Sequence, residues 1–173
     1  MPVQAPYRWN LRRLSPGFVL DLGCGIGRNL AHLDGNGVGI DHNATSVHVA
    51  RARGLKAFTP EEFRESDHNR IGSFDSILAA HVLEHMTEPD AVDLLNEYAR
   101  LVKEDGRLIL ITPQEAGFRS DPTHVEFLDF RRLRPIAASA GFSVQITEYS
   151  FPFPRAMGRI FKHNEFVAVY KRP

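Results

Sequence analysis

The chain has 173 residues, 43% of them hydrophobic and 24% charged, and its 21 Lys+Arg balance 21 Asp+Glu at a formal net charge of zero. At this length one core buries about 70% of the surface an unfolded chain exposes, so neither disulfides nor a structural metal is required, and the lone Cys24 excludes an intramolecular disulfide and suits a reducing compartment. Balanced charge argues against a large nucleic-acid footprint, no stretch reaches the roughly 18–20 apolar residues that span a bilayer, and residues 1–10 lack a basic-then-apolar leader; the expectation is a cytoplasmic α/β protein, one domain over residues 1–173, with neither nucleic acid nor membrane span.

In chain order, Phe18-Val19-Leu20-Asp21-Leu22 is a short apolar run broken at once by Gly23, Gly25 and Gly27, which predicts a buried strand ending in a tight turn. A helix is predicted from Arg28 to Leu33, then a second strand, Gly37 to Asp41, ending in an acid. Asn43 or Thr45 caps a helix reaching Arg53, which Gly54 stops. A weak third strand, Leu55 to Phe58, precedes one helical turn, Pro60 to Arg64, with proline near its first position. Phe74 to Ala80 reads as a fourth strand, Pro89 to Lys103 as an amphipathic helix and Arg107 to Thr112 as a fifth strand, and this alternation predicts a parallel sheet. Beyond Pro113 come a loop, Gln114 to Thr123, a helix near Leu128 to Ala140, and two strands, Phe142 to Tyr149 and Glu165 to Lys171. The link Ser150 to Asn164 is too long for a tight hairpin and holds no crossover helix, so an antiparallel final pair at the sheet edge is expected.

A strand feeding a glycine turn and then a helix directs backbone N–H groups toward a ligand at the carboxyl edge of the sheet. The spacing here is Gly-x-Gly-x-Gly, with Arg28 at the third position of the dinucleotide fingerprint, where a bulky side chain opposes close helix–strand packing. That disfavours a nicotinamide oxidoreductase, and no Gly-Lys-Ser/Thr phosphate loop occurs. Asp21, two residues before the first glycine, would repel a pyrophosphate and attract an ammonium or sulfonium. Asp41 stands like the acids that accept hydrogen bonds from two ribose hydroxyls. Together these point to a nucleoside with an amino-acid tail and no phosphate.

Val19-Leu20-Asp21-Leu22-Gly23-Cys24-Gly25-Ile26-Gly27-Arg28 resembles the first motif of the class I S-adenosylmethionine-dependent methyltransferases. Gly39-Ile40-Asp41 resembles the second, Phe74 to Leu78 with His81-Val82-Leu83-Glu84-His85 the fourth-strand motif, and Arg107 to Thr112 the fifth strand. The match runs in order over about residues 17–113; the remainder is more loosely similar to the small-molecule branch, which includes ubiquinone-biosynthesis O-methyltransferases. The resemblance implies a Rossmann-like three-layer αβα sandwich with a mostly parallel seven-stranded sheet and an antiparallel last strand. It also implies S-adenosyl-L-methionine as cofactor. Its methionine part would lie at Asp21, Gly23, Cys24, Gly25, Gly27 and Asn29, beside Ala80 and His81; apart from the resemblance, Arg8 is positioned to reach its carboxylate if the N-terminal segment folds over the site. Its ribose would lie at Asp41 and His42, and its adenine at the turn containing Pro60 and Glu61. Where the family often has an Asp after the third strand, this chain has Thr59-Pro60-Glu61-Glu62-Phe63, so Glu61, Glu62 or a backbone carbonyl takes that place.

His85 is implied near the methyl acceptor, and His124, in the loop after the fifth strand, suits a base at neutral pH. The alternative there is a turn stiffened by Pro122, with Asp121 and Thr123 capping the next helix. His81 to His85 also matches the His-x-x-Glu-His pattern of inverted zinc peptidases, disfavoured because the stretch directly follows a parallel strand; no metal is expected, and a surface turn polarised by Glu84 and His85 is the plain alternative. Cys24 is expected to be a small packing residue rather than a redox thiol. Phe151-Pro152-Phe153-Pro154-Arg155, with Arg159, Phe161 and His163, either walls an apolar acceptor pocket or covers the sheet edge, and Tyr7 and Arg8 either fold over the site or fray. The expected activity is methyl transfer to an oxygen, nitrogen or carbon of a small molecule, at a site left open or closed by a second subunit in a homodimer. The rival is a non-catalytic cofactor-binding module of a complex.

Overall fold

Strands and helices alternate as the apolar runs and their stop signals dictate in this computed structural model, which describes residues 4–173. Residues 1–3, the start of the segment read above for a leader, lie outside the described residues. The strands are β1 (Val19–Leu22), β2 (Gly37–Ile40), β3 (Ala57–Phe58), β4 (Phe74–Ala80), β5 (Val102–Pro113), β6 (Val144–Phe151) and β7 (Glu165–Lys171). The helices are α1 (Ala5–Arg13), α2 (Arg28–His32), α3 (Ala44–Ala52), α4 (Pro60–Glu65), α5 (Glu88–Ala99), α6 (Glu115–Arg119) and α7 (Phe130–Ser139), with 3-10 turns at Leu83–His85 and Arg155–Arg159. Among the described residues no helix is long and apolar enough to cross a membrane.

The seven strands form one sheet in the order β3-β2-β1-β4-β5-β7-β6. β1 to β5 run parallel, and β7 is antiparallel to both β5 and β6. The expected final pair therefore forms, but β7 inserts between β5 and β6 and leaves β6 at the edge. Alternate residues face opposite layers: Leu20, Ile77, Leu108, Leu110 and Ala168 pack into a core with α4, α5 and α7, whereas Val19, Leu78, Ile109, Ile111 and Val167 pack with Leu11 of α1 and Leu33 just after α2. This is the Rossmann-like three-layer arrangement.

Local chemistry sets the helix starts. Asn43 caps α3, its Oδ1 accepting from Thr45 N at 3.0 Å and Ser46 N at 3.2 Å. Thr59 and Glu62 form a reciprocal capping box on α4, and Asp129 caps α7. Three elements depart from the sequence reading. Residues 5–13 form α1, whose apolar contacts are too sparse to stand out from a polar, aromatic terminus. α5 stops at Ala99, and β5 begins at Val102 with an irregular register against Phe74 and Ser76, so Val102 and Lys103 are strand rather than helix. The loop after β5 contains the short helix α6.

Candidate active site

β1, β2, β4 and β5 all end along one edge of the sheet, and β7 begins there, with Glu165 opposite Pro113. The chain leaves β1 through Gly23, Gly25 and Gly27 at φ of 66°, 53° and 78°, the left-handed region that glycine enters without steric cost. A Cβ on Gly23 would stand 2.4 Å from Val82 Cγ2, and one on Gly27 would stand 2.3 Å from Leu55 Cδ1. Asp41, just beyond β2, braces this loop: Oδ2 accepts from Gly25 N and Oδ1 from Asn43 N, at 2.7 and 2.8 Å. Each oxygen keeps a second lone pair. Cys24 is buried against Gly39, and burial, then the charges of Asp21 and Asp41, push its thiol pKa up, away from the reactive thiolate.

Asp21 is fully buried, and neither carboxylate oxygen has a hydrogen-bond partner of proper geometry. Burial raises its pKa to about 7; the Asn29 side chain lowers it and the Asp41 charge raises it further. Such a group is either protonated or waiting for a cation.

Near it, on the Asn29 side, lies a cleft of about 290 Å³ lined by Tyr7, Arg28, Asn29, His81, Lys162 and Glu165, among others, and a smaller hollow that shares Tyr7, Asn29, His81 and Glu165 is lined also by Ala80. α1 roofs it: the Tyr7 hydroxyl donates to His163 O at 2.8 Å, the Tyr149 hydroxyl to Asn10 Oδ1 at 2.8 Å, and Arg12 to Asp34 at 2.6 Å. Tyr7 thus folds over the site as one of the two expectations had it. Arg8 does not line the cleft: it lies on the exposed face of α1.

His81 follows β4 at φ 58°. Its Nε2 lies 2.8 Å from Glu165 Oε1 and its Nδ1 3.2 Å from Glu84 Oε1. Desolvation opposes charging the ring, but the hydrogen bonds to Glu165 and Glu84 outweigh it and raise the pKa to about 10. His81 and His85 do not form the helical pair of a peptidase zinc site, because only Leu83–His85 is a 3-10 turn and the His81 ring is taken by two carboxylates. His85 meets His124 instead: the rings lie edge to face at 4.8 Å. His124 Nδ1 lies 2.8 Å from Phe118 O, so that nitrogen donates, and in the neutral ring the lone pair is on Nε2. Glu84, His85 and His124 offer ligand atoms all within 4.8 Å of one another, and Glu84 Oε2 is buried without a partner. The sequence reading weighed only residues 81–85 as a ligand set and expected no metal; His124 is brought beside them by the loop after β5. Asp121 caps its own turn through Thr123, not α7.

On the far side of the glycine loop, His42 is 93% exposed at its side chain and 3.9 Å from Asp41. Pro60 opens α4. Glu62 is held by Arg51 and the Thr59 N–H, leaving it a structural part of the cap, while the Glu61 side chain is 75% exposed and 3.9 Å from Arg64. In the β6–β7 link, Arg155 pairs with Glu115 and stacks over Phe166, so it is not free for an acceptor; Lys162 and His163, rather than Phe151 or Phe153, reach the cleft. The residues sequence reasoning missed include Asn10, His32, Lys162 and Glu165. An acid opening the buried run Glu165-Phe166-Val167-Ala168-Val169 was the available signal.

The family described as "Methyltransferase domain" matches residues 20–110. A ubiquinone biosynthesis O-methyltransferase of Xanthomonas oryzae pv. oryzae (strain PXO99A) is 33% identical over 119 residues, covering 64% of this chain and 49% of that protein. The chain thus spans about half the length of the curated relatives it matches. Among solved structures, a SAM-dependent methyltransferase from Archaeoglobus fulgidus superposes with a TM-score of 0.74 at 17% identity, over 96% of this chain and 93% of that one. A magnesium protoporphyrin IX methyltransferase from Synechocystis PCC 6803 with bound SAH superposes with a TM-score of 0.68 at 17% identity, over 98% and 85%. With its sheet order, its glycine turn braced by Asp41 and a match over more than half its length, the chain belongs to the methyltransferase-domain family.

Proposed function

We propose that the protein is an S-adenosyl-L-methionine-dependent methyltransferase that methylates an oxygen of a small molecule. The observation that carries this reading is Asp21, an acid buried without a hydrogen-bond partner beside a glycine cradle that side chains would fill. A donor bearing an ammonium and a sulfonium relieves that buried charge, whereas a pyrophosphate would aggravate it. The oxygen acceptor is inferred from the name of the Xanthomonas relative.

In this reading the backbone of Gly23, Cys24, Gly25 and Gly27 cradles the donor's amino-acid end with Asn29, Ala80 and His81. Asp41 accepts from the ribose, with His42 beside it, and the backbone at Pro60 and Glu61 meets the adenine edge. When bound, the donor supplies an electrophilic methyl group. The chain's task is then alignment and proton removal: in-line positioning is worth roughly 7–11 kcal/mol of barrier. His124 Nε2 takes the acceptor's proton, oriented by Phe118 O and flanked by His85.

A second reading of the same cluster rests on the unpartnered Glu84 Oε2: Glu84, His85 and His124 are the residues that would hold a divalent cation, and such an ion would supply a lowered pKa to an acceptor hydroxyl. Metal analysis of protein purified without chelator decides between them, a stoichiometric divalent ion favouring the cation and none favouring the free base.

Calorimetric titration with S-adenosylmethionine, its demethylated product and NAD tests the donor. The first two should bind wild type, and Asp41→Ala should weaken both; tight NAD binding with no response to the others rejects the proposal. Binding with no isotope-labelled methyl transferred to any of a broad set of phenolic and catecholic acceptors would favour the non-catalytic module.

A further inference from the structure

Two cations face the cleft under α1 without an acid of their own. Arg28 opens α2 and Lys162 lies in the β6–β7 link; both line the cleft, both are exposed, and neither side chain has a hydrogen-bond or ion-pair partner among the described residues. Cations nearby are engaged: Arg12 pairs with Asp34 and donates to His32 O, and Arg155 pairs with Glu115. Among the described residues Glu165 is the acid that lines the cleft, and it lies against His81, at 2.8 Å. Burial first, and then the charges of Arg28, Arg8 and Arg12, hold the His32 imidazole below its ordinary pKa, so the Arg28 side of the cleft is electropositive.

The backbone fixes where both side chains start. Arg28 follows Gly27, whose φ of 78° turns the chain into α2 and whose carbonyl accepts from Ala31 N at 2.9 Å. Lys162 precedes His163, whose carbonyl accepts from the Tyr7 hydroxyl at 2.8 Å, and its own carbonyl lies 2.5 Å from where a Cβ on Gly117 would stand. Gly117 immediately precedes Phe118, whose carbonyl meets His124. Lys162 therefore belongs both to the cleft and to the wall that orients His124.

We infer that Arg28 and Lys162 form a carboxylate-binding pair at the mouth of the cleft. The guanidinium offers a planar fork that matches a carboxylate, and the ammonium a point charge on a flexible stem. A dianionic phosphate would bring more negative charge toward Glu165 and the buried Asp21, so a singly charged anion fits better. Two sources can supply it: the donor's amino-acid end, on the glycine-turn side where Arg28 stands, or an acidic acceptor, on the Lys162 side next to Phe118 and His124. The first source rests on the donor reading above and gives the role expected of Arg8 to residues that do line the cleft; the second goes beyond that reading and gives the acceptor a class. Two merely solvated surface cations would discriminate neither.

The test is calorimetric affinity in wild type, Arg28→Gln, Lys162→Gln and the double variant, with thermal melts to confirm folding. S-adenosylmethionine and its decarboxylated form probe the first source; benzoate and benzamide, titrated into protein saturated with S-adenosylhomocysteine, probe the second. Wild type should prefer the acid of at least one pair. Each substitution should weaken that acid by about five- to tenfold, the size of one charge about 4 Å away in a wet cleft, and leave the partner without the carboxylate within about twofold. The double variant should erase the preference, and either single variant decides the matter if the double one fails to fold. Loss confined to the first pair assigns the site to the donor, and loss confined to the second assigns it to the acceptor. Preferences that persist in the folded variants, or that wild type lacks for both pairs, overturn the inference and leave the donor reading intact. Wild type that binds neither form of the donor removes the donor reading, and the benzoate pair, titrated into unloaded protein, then decides the inference alone.

Discussion

The imidazoles of His85 and His124 meet edge to face at 4.8 Å, although one follows β4 and the other follows β5. The contact forms because Val125 N and Glu126 N both donate to Glu84 O, at 2.7 and 3.2 Å, stitching the two loops together at the backbone. His124→Asn keeps a polar group of similar reach and loses the base. Turnover should fall about 10²–10⁴-fold with donor affinity unchanged; a fall below about threefold in kcat would remove His124 from the chemistry.

Asp21 should couple folding, and in the proposed reading donor binding, to protons. Its folded pKa of about 7 lies above the ordinary 3.8, so the folded state holds an extra proton between those values and stability declines as pH rises through that window. Asp21→Asn abolishes the decline. Relative to wild type it should gain about 1–3 kcal/mol between pH 5 and pH 8 in denaturant melts, taking ~1.4 kcal/mol per pKa unit and allowing for a buried amide. A difference independent of pH would contradict the assignment.

By the same coupling, a cationic donor favours the ionised form of Asp21. Titrations near pH 6 in buffers of differing ionisation enthalpy should report a proton released on donor binding, absent in Asp21→Asn. Identical apparent enthalpies in all buffers would mean that the acid already carries its charge.

The turn after β3 supports the fold more than it selects the ligand. Thr59→Ala removes the hydroxyl that caps Glu62 N and should cost about 1 kcal/mol in a chemical melt. Glu61→Ala, in contrast, should leave donor affinity within about twofold, since its exposed carboxylate gains little from a surface pair; a tenfold loss would mean that the side chain itself reads the adenine.

Gly39 lies where β2 passes the glycine loop, and a Cβ there would fall 2.5 Å from Cys24 Sγ and 2.6 Å from its Cβ. Gly39→Ala should destabilise the protein by about 1–3 kcal/mol and weaken the donor by displacing the loop. A melting temperature equal to wild type would refute that account.

The parallel half of the sheet was legible because its main strands are apolar runs and β1, β2 and β5 close on a glycine, an acid and a proline, and the same punctuation marked the cradle and Asp41. α1 was not, since its apolar contacts come from scattered residues such as Tyr7 and Leu11 that pack only once β6 and the cleft exist. The Glu84, His85 and His124 cluster was half legible: local spacing exposed the first two, but the third is brought in by loop-to-loop backbone bonds that no short-range pattern encodes. Glu62 misled for the opposite reason. Its position suggested a ligand, while its carboxylate was already spent on Arg51 and the helix cap.

Reversing a single strand alters what the reactive rim can be made of. β1, β2, β4 and β5 can offer that rim only the residues with which they finish, whereas β7 offers the residue with which it starts. Docking of the C-terminal strand and completion of the His81 clamp are consequently one event, and a chain whose final strand has peeled away should keep its glycine turn yet lose an intact reaction chamber.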